Sequence, residues 1–208
     1  FYSMKEDGKY LTNDVLTEFN PLGILEKGGL RESDNDNIFG NLSAEFKIID
    51  GLKIRGVFGG DLKANHTLMK VKQVDYYSSV SATSPSSTSG SDRSTHDDNE
   101  KILNLNTQLM LDYDNYIGND HHIGGLIGVS NESYTRESNG IRLKYTDPDL
   151  NTPITETVIE TGTYATPQGT TESSLYSMFG RANYSFKDKY LIEFSFRYDG
   201  SSKFSKDN

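Results

Sequence analysis

The 208-residue sequence has no cysteine and no tryptophan. Without cysteine there is no disulfide, no thiolate metal site and no thiol nucleophile. All aromatic chemistry falls to 13 Tyr and 10 Phe. Basic residues are in deficit, 21 Lys and Arg against 30 Asp and Glu, which leaves a formal charge of −9. Phosphate backbones are bound by basic patches, so nucleic acid is excluded as a partner. No apolar run approaches the roughly 20 residues that a helical membrane span needs, and the mean hydropathy is −0.64. A transmembrane β-barrel escapes this exclusion, because only alternate residues of its strands are apolar and polar loops dilute the mean. An initiator methionine and any signal or transit segment are also missing, so both ends read as cuts through a longer protein. At this length the chain can bury the core of one domain, or at most two.

What is present is a period of two. Tyr176, Met178, Ala182, Tyr184 and Phe186 share one face, with Gly180 as a gap; Ser177, Arg181, Asn183 and Ser185 share the other, with Phe179 as its one apolar member. After the polar turn Lys187-Asp188-Lys189, Tyr190, Ile192, Phe194, Phe196 and Tyr198 alternate with Leu191, Glu193, Ser195, Arg197 and Asp199. Such alternation predicts two strands, each with one apolar and one wet face. The same pattern holds at Leu42, Ala44, Phe46 and Ile48, then at Leu52, Ile54, Gly56, Phe58, Gly60 and Leu62. Between them Asp50-Gly51 suits a tight hairpin turn, because it tolerates positive φ. A third pair runs through Leu103, Leu105, Leu109, Leu111 and Tyr113 and returns, past Gly118-Asn119-Asp120, through Ile123, Gly125, Ile127 and Val129.

Between these pairs the pattern fades. Residues 1–39 read as an irregular segment, an extracellular loop with a brief helical turn or packed knot at Leu22, Ile24 and Leu25 and a polar loop at 31–37. Residues 78–99, rich in Ser and Thr, read as a mobile loop, with 71–77 extending the preceding strand towards it. Residues 135–171 read as another polar loop, broken at Asp147-Pro148, Thr152-Pro153 and Thr166-Pro167.

The expected fold is therefore all-β, an antiparallel up-and-down meander of six strands in three hairpins, at about 41–64, 101–134 and 174–199. Short turns at Asp50, Gly118 and Asp188 alternate with two long loops, which places all short turns at one edge of the sheet. Strand cores of about nine to thirteen residues match a tilted bilayer crossing, whereas soluble sandwiches favour about five or six residues per strand. Six strands cannot close a wide barrel, so 40–208 is expected to form an arc of a larger transmembrane one.

Three stretches carry a resemblance. Phe179-Gly180-Arg181, Asn183-Tyr184, Asp188-Lys189-Tyr190-Leu191 and the run from Arg197 to Phe204 resemble the signature of the SusC/RagA family of TonB-linked outer-membrane transporters. The run from Gly40 to Lys53 looks like the strand-turn-strand ahead of that family's middle barrel, and Asn20-Pro21-Leu22 with Leu25 fits the segment just upstream. The resemblance implies a barrel of about 22 strands, of which this chain is a middle part, in the outer membrane of Bacteroidota. It implies import of oligosaccharides or peptides, a SusD-like surface lipoprotein as lid, and energy from TonB through parts absent here. The fragment alone is expected to transport nothing.

Residues suited to chemistry read more simply as structure. His121 and His122 are adjacent in a strand and point to opposite faces, so they do not share a metal. His66 and His96 read as solvated. Asp34-Asn35-Asp36-Asn37 lacks the glycine and glutamate of a calcium loop, and Asp92, Asp97, Asp98 and Glu100 suit a solvated acidic loop. Asp112 and Asp114 would serve as acid and base, yet no nucleophile or oxyanion donor accompanies them, and Ser174 and Ser177 have no histidine near. Arg181, Glu193, Arg197 and Asp199 suit cross-strand contacts on the channel wall. Sugar contacts, if present, fall to Tyr76, Tyr77, Tyr134, Tyr145 and Tyr164. No enzyme, metal or cofactor is expected. The rival readings are a soluble β-sandwich that binds carbohydrate and, weaker, a hydrolase on a β scaffold. A second sheet over Leu105, Leu109, Ile192 and Phe196 would decide for the sandwich.

Overall fold

The computed structural model describes residues 5–13, 19–158 and 168–204. In chain order the elements are β1 (Lys5–Glu6), β2 (Lys9–Leu11), α1 (Pro21–Lys27), β3 (Gly29–Ile49), β4 (Leu52–Val71), β5 (Val74–Tyr77) and β6 (Ser87–Ser89). They continue with β7 (Ser94–Ile117), β8 (His121–Tyr145), β9 (Pro153–Val158), β10 (Gly169–Phe186) and β11 (Tyr190–Ser201). No helix of the described residues is long and apolar enough to cross a membrane.

Two compact units divide the chain: one of Phe1–Asn35, Asn65–Glu100 and Ser138–Gly169, the other of Asp36–Ala64, Lys101–Glu137 and Thr170–Asn208. The second holds every apolar-alternating segment of the sequence. Its strands belong to the sheet β11-β10-β8-β7-β4-β3, built from the three expected hairpins. Gly51 takes a φ of +80° and Gly118 one of +65° in their turns, while Lys187 and Asp188, at +55° and +52°, carry the third without glycine. Across that last hairpin Tyr184 pairs with Ile192, Ala182 with Phe194, Gly180 with Phe196 and Met178 with Tyr198. Apolar therefore meets apolar along the whole ribbon. In the first hairpin Asn41 lies beside Gly59, a register that sets Leu42 against Phe58 on the apolar side.

The other unit contains a small sheet, β1-β2-β5-β6. Strand β2 pairs parallel with β5, Tyr10 against Tyr76, and β5 pairs antiparallel with β6. Tyr10, Val74 and Tyr76 form its core, with Leu22 of α1 against them. Helix α1 starts where Asn20 Oδ1 accepts from the Leu22 N–H and Pro21 fills the first turn. Gly23 lets the helix sit on this core, since a Cβ there would lie 2.8 Å from the Tyr76 ring.

Several expected loops are strands. Residues 31–37 lie within β3, so the irregular segment does not extend to residue 39; α1 and β3 occupy 21–27 and 29 onward. The stretch 78–99 contains β6 and the start of β7, and 135–171 contains the end of β8, all of β9 and the start of β10. The breaker at Asp147-Pro148 does follow a strand end, Tyr145. Strand β4 does not run on through 77: it stops at Val71, and β5 joins the small sheet instead. Thr166-Pro167 lies outside the described residues.

Candidate functional site

In a soluble sheet the apolar face is the covered one. Here the order is inverted. On β10, Ser177 and Ser185 are buried and Phe179 and Asn183 half-buried, whereas Tyr176, Met178, Ala182 and Tyr184 are exposed. On the edge strand β11 both faces are exposed, Ile192 by 69% and Phe194 by 65%, and Leu109 of the inner strand β7 is 51% exposed. Among the described residues no second sheet covers them, so the premise of a soluble sandwich is not met there.

The wet face is covered by its own long side chains. Arg197 donates from Nη2 to Ser177 Oγ at 3.0 Å and from Nε to Asp199 Oδ1 at 2.8 Å. Asn183 lies over Gly124, and the Phe179 ring over Gly128 beside Met110. This explains the apolar residue on the wet side: Phe179 fills the space that the missing side chain of Gly128 leaves. Arg55 clamps Asp112 through Nη2, at 3.0 and 3.1 Å to its two oxygens.

A groove of about 610 Å³ opens in this unit. Asn41, Asp61, Asn104, Asn106, Glu132 and Tyr134 supply most of its polar wall. Asn104 Nδ2 donates to Asp61 Oδ2 at 2.9 Å. The Asn106 Oδ1 is buried without a hydrogen-bond partner. A buried acceptor left unpaired costs about 1–3 kcal/mol, and a hydroxyl or N–H entering the groove would relieve it. The arrangement suits a neutral, donor-rich ligand; it holds no catalytic constellation.

The residues singled out from sequence are dispersed. His121 Nδ1 lies 2.7 Å from the Tyr184 hydroxyl, while His122 Nε2 lies 3.1 Å from Asp114 and its ring stacks on Tyr116. Different partners on different faces confirm the expected separation. Asp112 and Asp114 are thus engaged by Arg55 and His122, not poised as acid and base. Among the described residues no cluster has the make-up of a metal site. His66 lies in β4 with its side chain 43% exposed, 3.1 Å from Asp97. His96 is not solvated but buried, 3.2 Å from Ser94 Oγ. The acidic residues at 92–100 are partnered, Asp92 by Arg142 and Glu100 by Asn65, and the Arg142 guanidinium holds the Asp92 carboxyl below the usual carboxylate range. Asp34 to Asn37 are exposed strand residues. Of the tyrosines, Tyr134 lines the groove and Ser174 joins it, but Tyr76 is fully buried and cannot meet a ligand. Tyr77 lies under the Lys9 ammonium and Tyr145 bonds Thr95; Tyr164 lies outside the described residues. The groove itself had no signature in the sequence, since its walls come from six separate strands.

No protein-family model matches the chain. Over 97% of its length it is 27% identical to the TonB-dependent receptor SusC of Bacteroides thetaiotaomicron. Over 98% it is 30% identical to the TonB-dependent receptor P26 of Formosa agariphila. These relatives are TonB-dependent receptors, as the resemblance to the SusC/RagA family implied. The chain spans 18% and 20% of the length of those two relatives. Solved structures of the RagAB peptide importer match its fold: the closed-closed state at 20% identity and a TM-score of 0.65, the open-open state at 21% and 0.66. Each covers 88% of this chain and 19% of the importer chain. The six-stranded sheet is accordingly an arc of a large transmembrane β-barrel, and its exposed apolar face is the lipid-facing one.

Inside this arc the glycines of β8 are a condition of wall thickness. A Cβ at Gly128 would lie 2.7 Å from the Phe179 ring and 2.9 Å from Met110 Cγ. Gly128→Ala is expected to lower stability by about 1–3 kcal/mol through overpacking, and Phe179→Leu in the same chain to recover most of it. Urea midpoints of the intact receptor in detergent read both; equal losses in single and double variants would contradict the contact.

Proposed function

We propose that this chain is a section of channel wall in an outer-membrane importer of oligosaccharides or peptides, energised by TonB and lidded by a SusD-like surface lipoprotein. The single observation that carries the reading is the inverted burial of the inner strands β7, β8 and β10, whose apolar side is more exposed than their polar side, joined to relatives named as TonB-dependent receptors. The wet face then lines the route of the ligand, and the groove with Asn104, Asn106 and Tyr134 is a place where it pauses. Amide, carboxylate and phenol groups suit either hydroxyls or peptide N–H groups. Residues 5–13 and 19–28, with the other long connections, take the extracellular side, and 40–208 the barrel. An arc of six strands encloses no channel, so the chain alone transports nothing. The reading assigns no hydrolytic step.

The test is deletion of the receptor gene in its host, followed by uptake of labelled oligosaccharide and peptide mixtures. The expected result is loss of one ligand class, restored by the intact receptor, with the protein in the detergent-requiring outer-membrane fraction. Unchanged uptake of both mixtures, or a protein that stays in buffer, would refute the proposal.

A further inference from the structure

A second groove, of about 710 Å³, lies in the unit that contains α1. Its charge runs against the chain as a whole. Lys27, Lys70 and Lys72 border it, with Glu26 and Asp149 as the acids. Glu26 is already taken: Lys5 Nζ bonds it and Tyr10 donates to it at 2.9 Å. Asp149 lies 3.9 Å from Lys72 Nζ and answers one ammonium. Lys27 and Lys70 remain in excess. The first groove, with Asp61 and Glu132 against Lys203, has the opposite balance. On a chain of charge −9, three lysines gathered on one concavity are out of proportion to the background.

The walls are fixed. The Gly28 carbonyl accepts from the Lys72 N–H at 3.0 Å, and a Cβ on Gly29, at φ +116°, would fall 1.8 Å from the Lys70 carbonyl oxygen. Helix end and strand are thus held at backbone distance, which sets Lys27 beside Lys70 and Lys72. Opposite them Leu150 takes φ +60°, a left-handed conformation that a bulky side chain adopts only under constraint. The constraint is Asp147, whose carboxylate accepts from the backbone N–H groups of Asp149, Asn151 and Thr152.

We propose that this groove binds an oxyanion, a carboxylate or sulfate carried on the ligand chain, with Lys27, Lys70 and Lys72 as the cationic contacts and Leu150 as part of the opposite wall. The inference deepens the importer reading and rests on it for the nature of the ligand; the ion-binding itself is separately measurable. A carboxylate chain could be a uronate oligosaccharide or an acidic peptide, so the probes must include both.

The experiment is calorimetry on the intact detergent-solubilised receptor with four probes: a galacturonate oligomer, a sulfated oligosaccharide, a glutamate-rich peptide and a neutral oligosaccharide of similar length. At least one anionic probe is expected to bind, to weaken as salt rises, and to lose about tenfold in affinity in the triple Lys→Ala variant. The triple Lys→Arg variant is expected to keep most of it, and the identity of the bound probe names the source. Three results overturn the inference: no anionic probe binds, the Lys→Ala variant binds them as wild type does, or the neutral probe is lost equally. If any of these appears while gene deletion still abolishes uptake, the oxyanion site falls and the importer reading stands.

Discussion

Replacing Phe194 with arginine will destabilise the intact receptor by about 2–4 kcal/mol, the cost of a cation on the lipid face near the bilayer midplane. The position follows from the register. Tyr190 pairs with Phe186 at the turn, and His121, Tyr184 and Phe186 cluster beside it, as aromatics do where a barrel meets the water interface. Phe194 lies four residues further along the strand. At about 3.4 Å per residue and a tilt near 40°, that is about 10 Å inside the apolar band. Its side chain is exposed and beside Phe196, so an arginine there has hydrocarbon around it and a long way to snorkel. The neighbouring residue supplies the control. Glu193 sits on the wet face opposite Asn183, and Glu193→Arg is expected to stay within about 1 kcal/mol, as lumen substitutions change selectivity more than stability. Urea unfolding from lipid vesicles measures both. If the two arginines cost the same, the faces have been assigned wrongly.

The parts of the fold legible in the sequence are those where the bilayer imposes a rule. Within the apolar band one face must be greasy and the other wet, so period two is enforced at Leu52 to Leu62, Leu103 to Tyr113 and Tyr190 to Tyr198, and the turns between are marked by Asp-Gly, by Gly118 or by Lys-Asp-Lys. Outside it both faces meet water. A strand of 21 residues such as β3 is about 70 Å long, far more than an apolar band of about 25 Å requires. Its first half, Glu32 to Asp36, is held by the backbone ladder and by contacts such as Ser33 to Thr67, with no alternation to reveal it. Polar residues there imitate a loop. The same holds for Ser94 to Glu100 and for Glu132 to Lys144.

The functional surface was legible only as a face. Alternation assigned Arg197, Asp199, Asn104 and Asn106 to the wet side, and the resemblance at Phe179 to Phe204 pointed to the family. Which wet residues share a groove depends on pairing between strands remote in sequence, such as Asn104 with Asp61, and no local signal encodes it. The contact of His66 with Asp97 was hidden for that reason, since Asp97 is on another strand. Tyr76 was misjudged differently. A tyrosine beside a Ser-rich stretch looks exposed, but strands of two to four residues each, brought together from 66 positions apart, bury it completely.

That burial makes Tyr76 the expected weak point of the unit with α1. Tyr76 is 0% exposed, its hydroxyl lies 2.8 Å from Ser89 Oγ, and Gly23 of α1 rests against its ring. With Tyr10 and Val74 it is one of three buried residues in that core. Removing a large buried ring costs about 3–5 kcal/mol, and a core this small has little else to offset it, so Tyr76→Ala is expected to open the small sheet locally. Amide exchange should then lose its protection at Lys9 to Leu11 and Val74 to Tyr77 while β10 and β11 keep theirs. Tyr76→Phe removes only the hydroxyl contact, worth about 1 kcal/mol, and should leave the pattern intact. Because Gly23 anchors the helix that carries Lys27, the alanine variant should also weaken oxyanion binding in the second groove, whereas the phenylalanine variant should not. Unchanged protection in Tyr76→Ala would mean that the parallel pairing of β2 with β5, and not the aromatic core, holds the unit together.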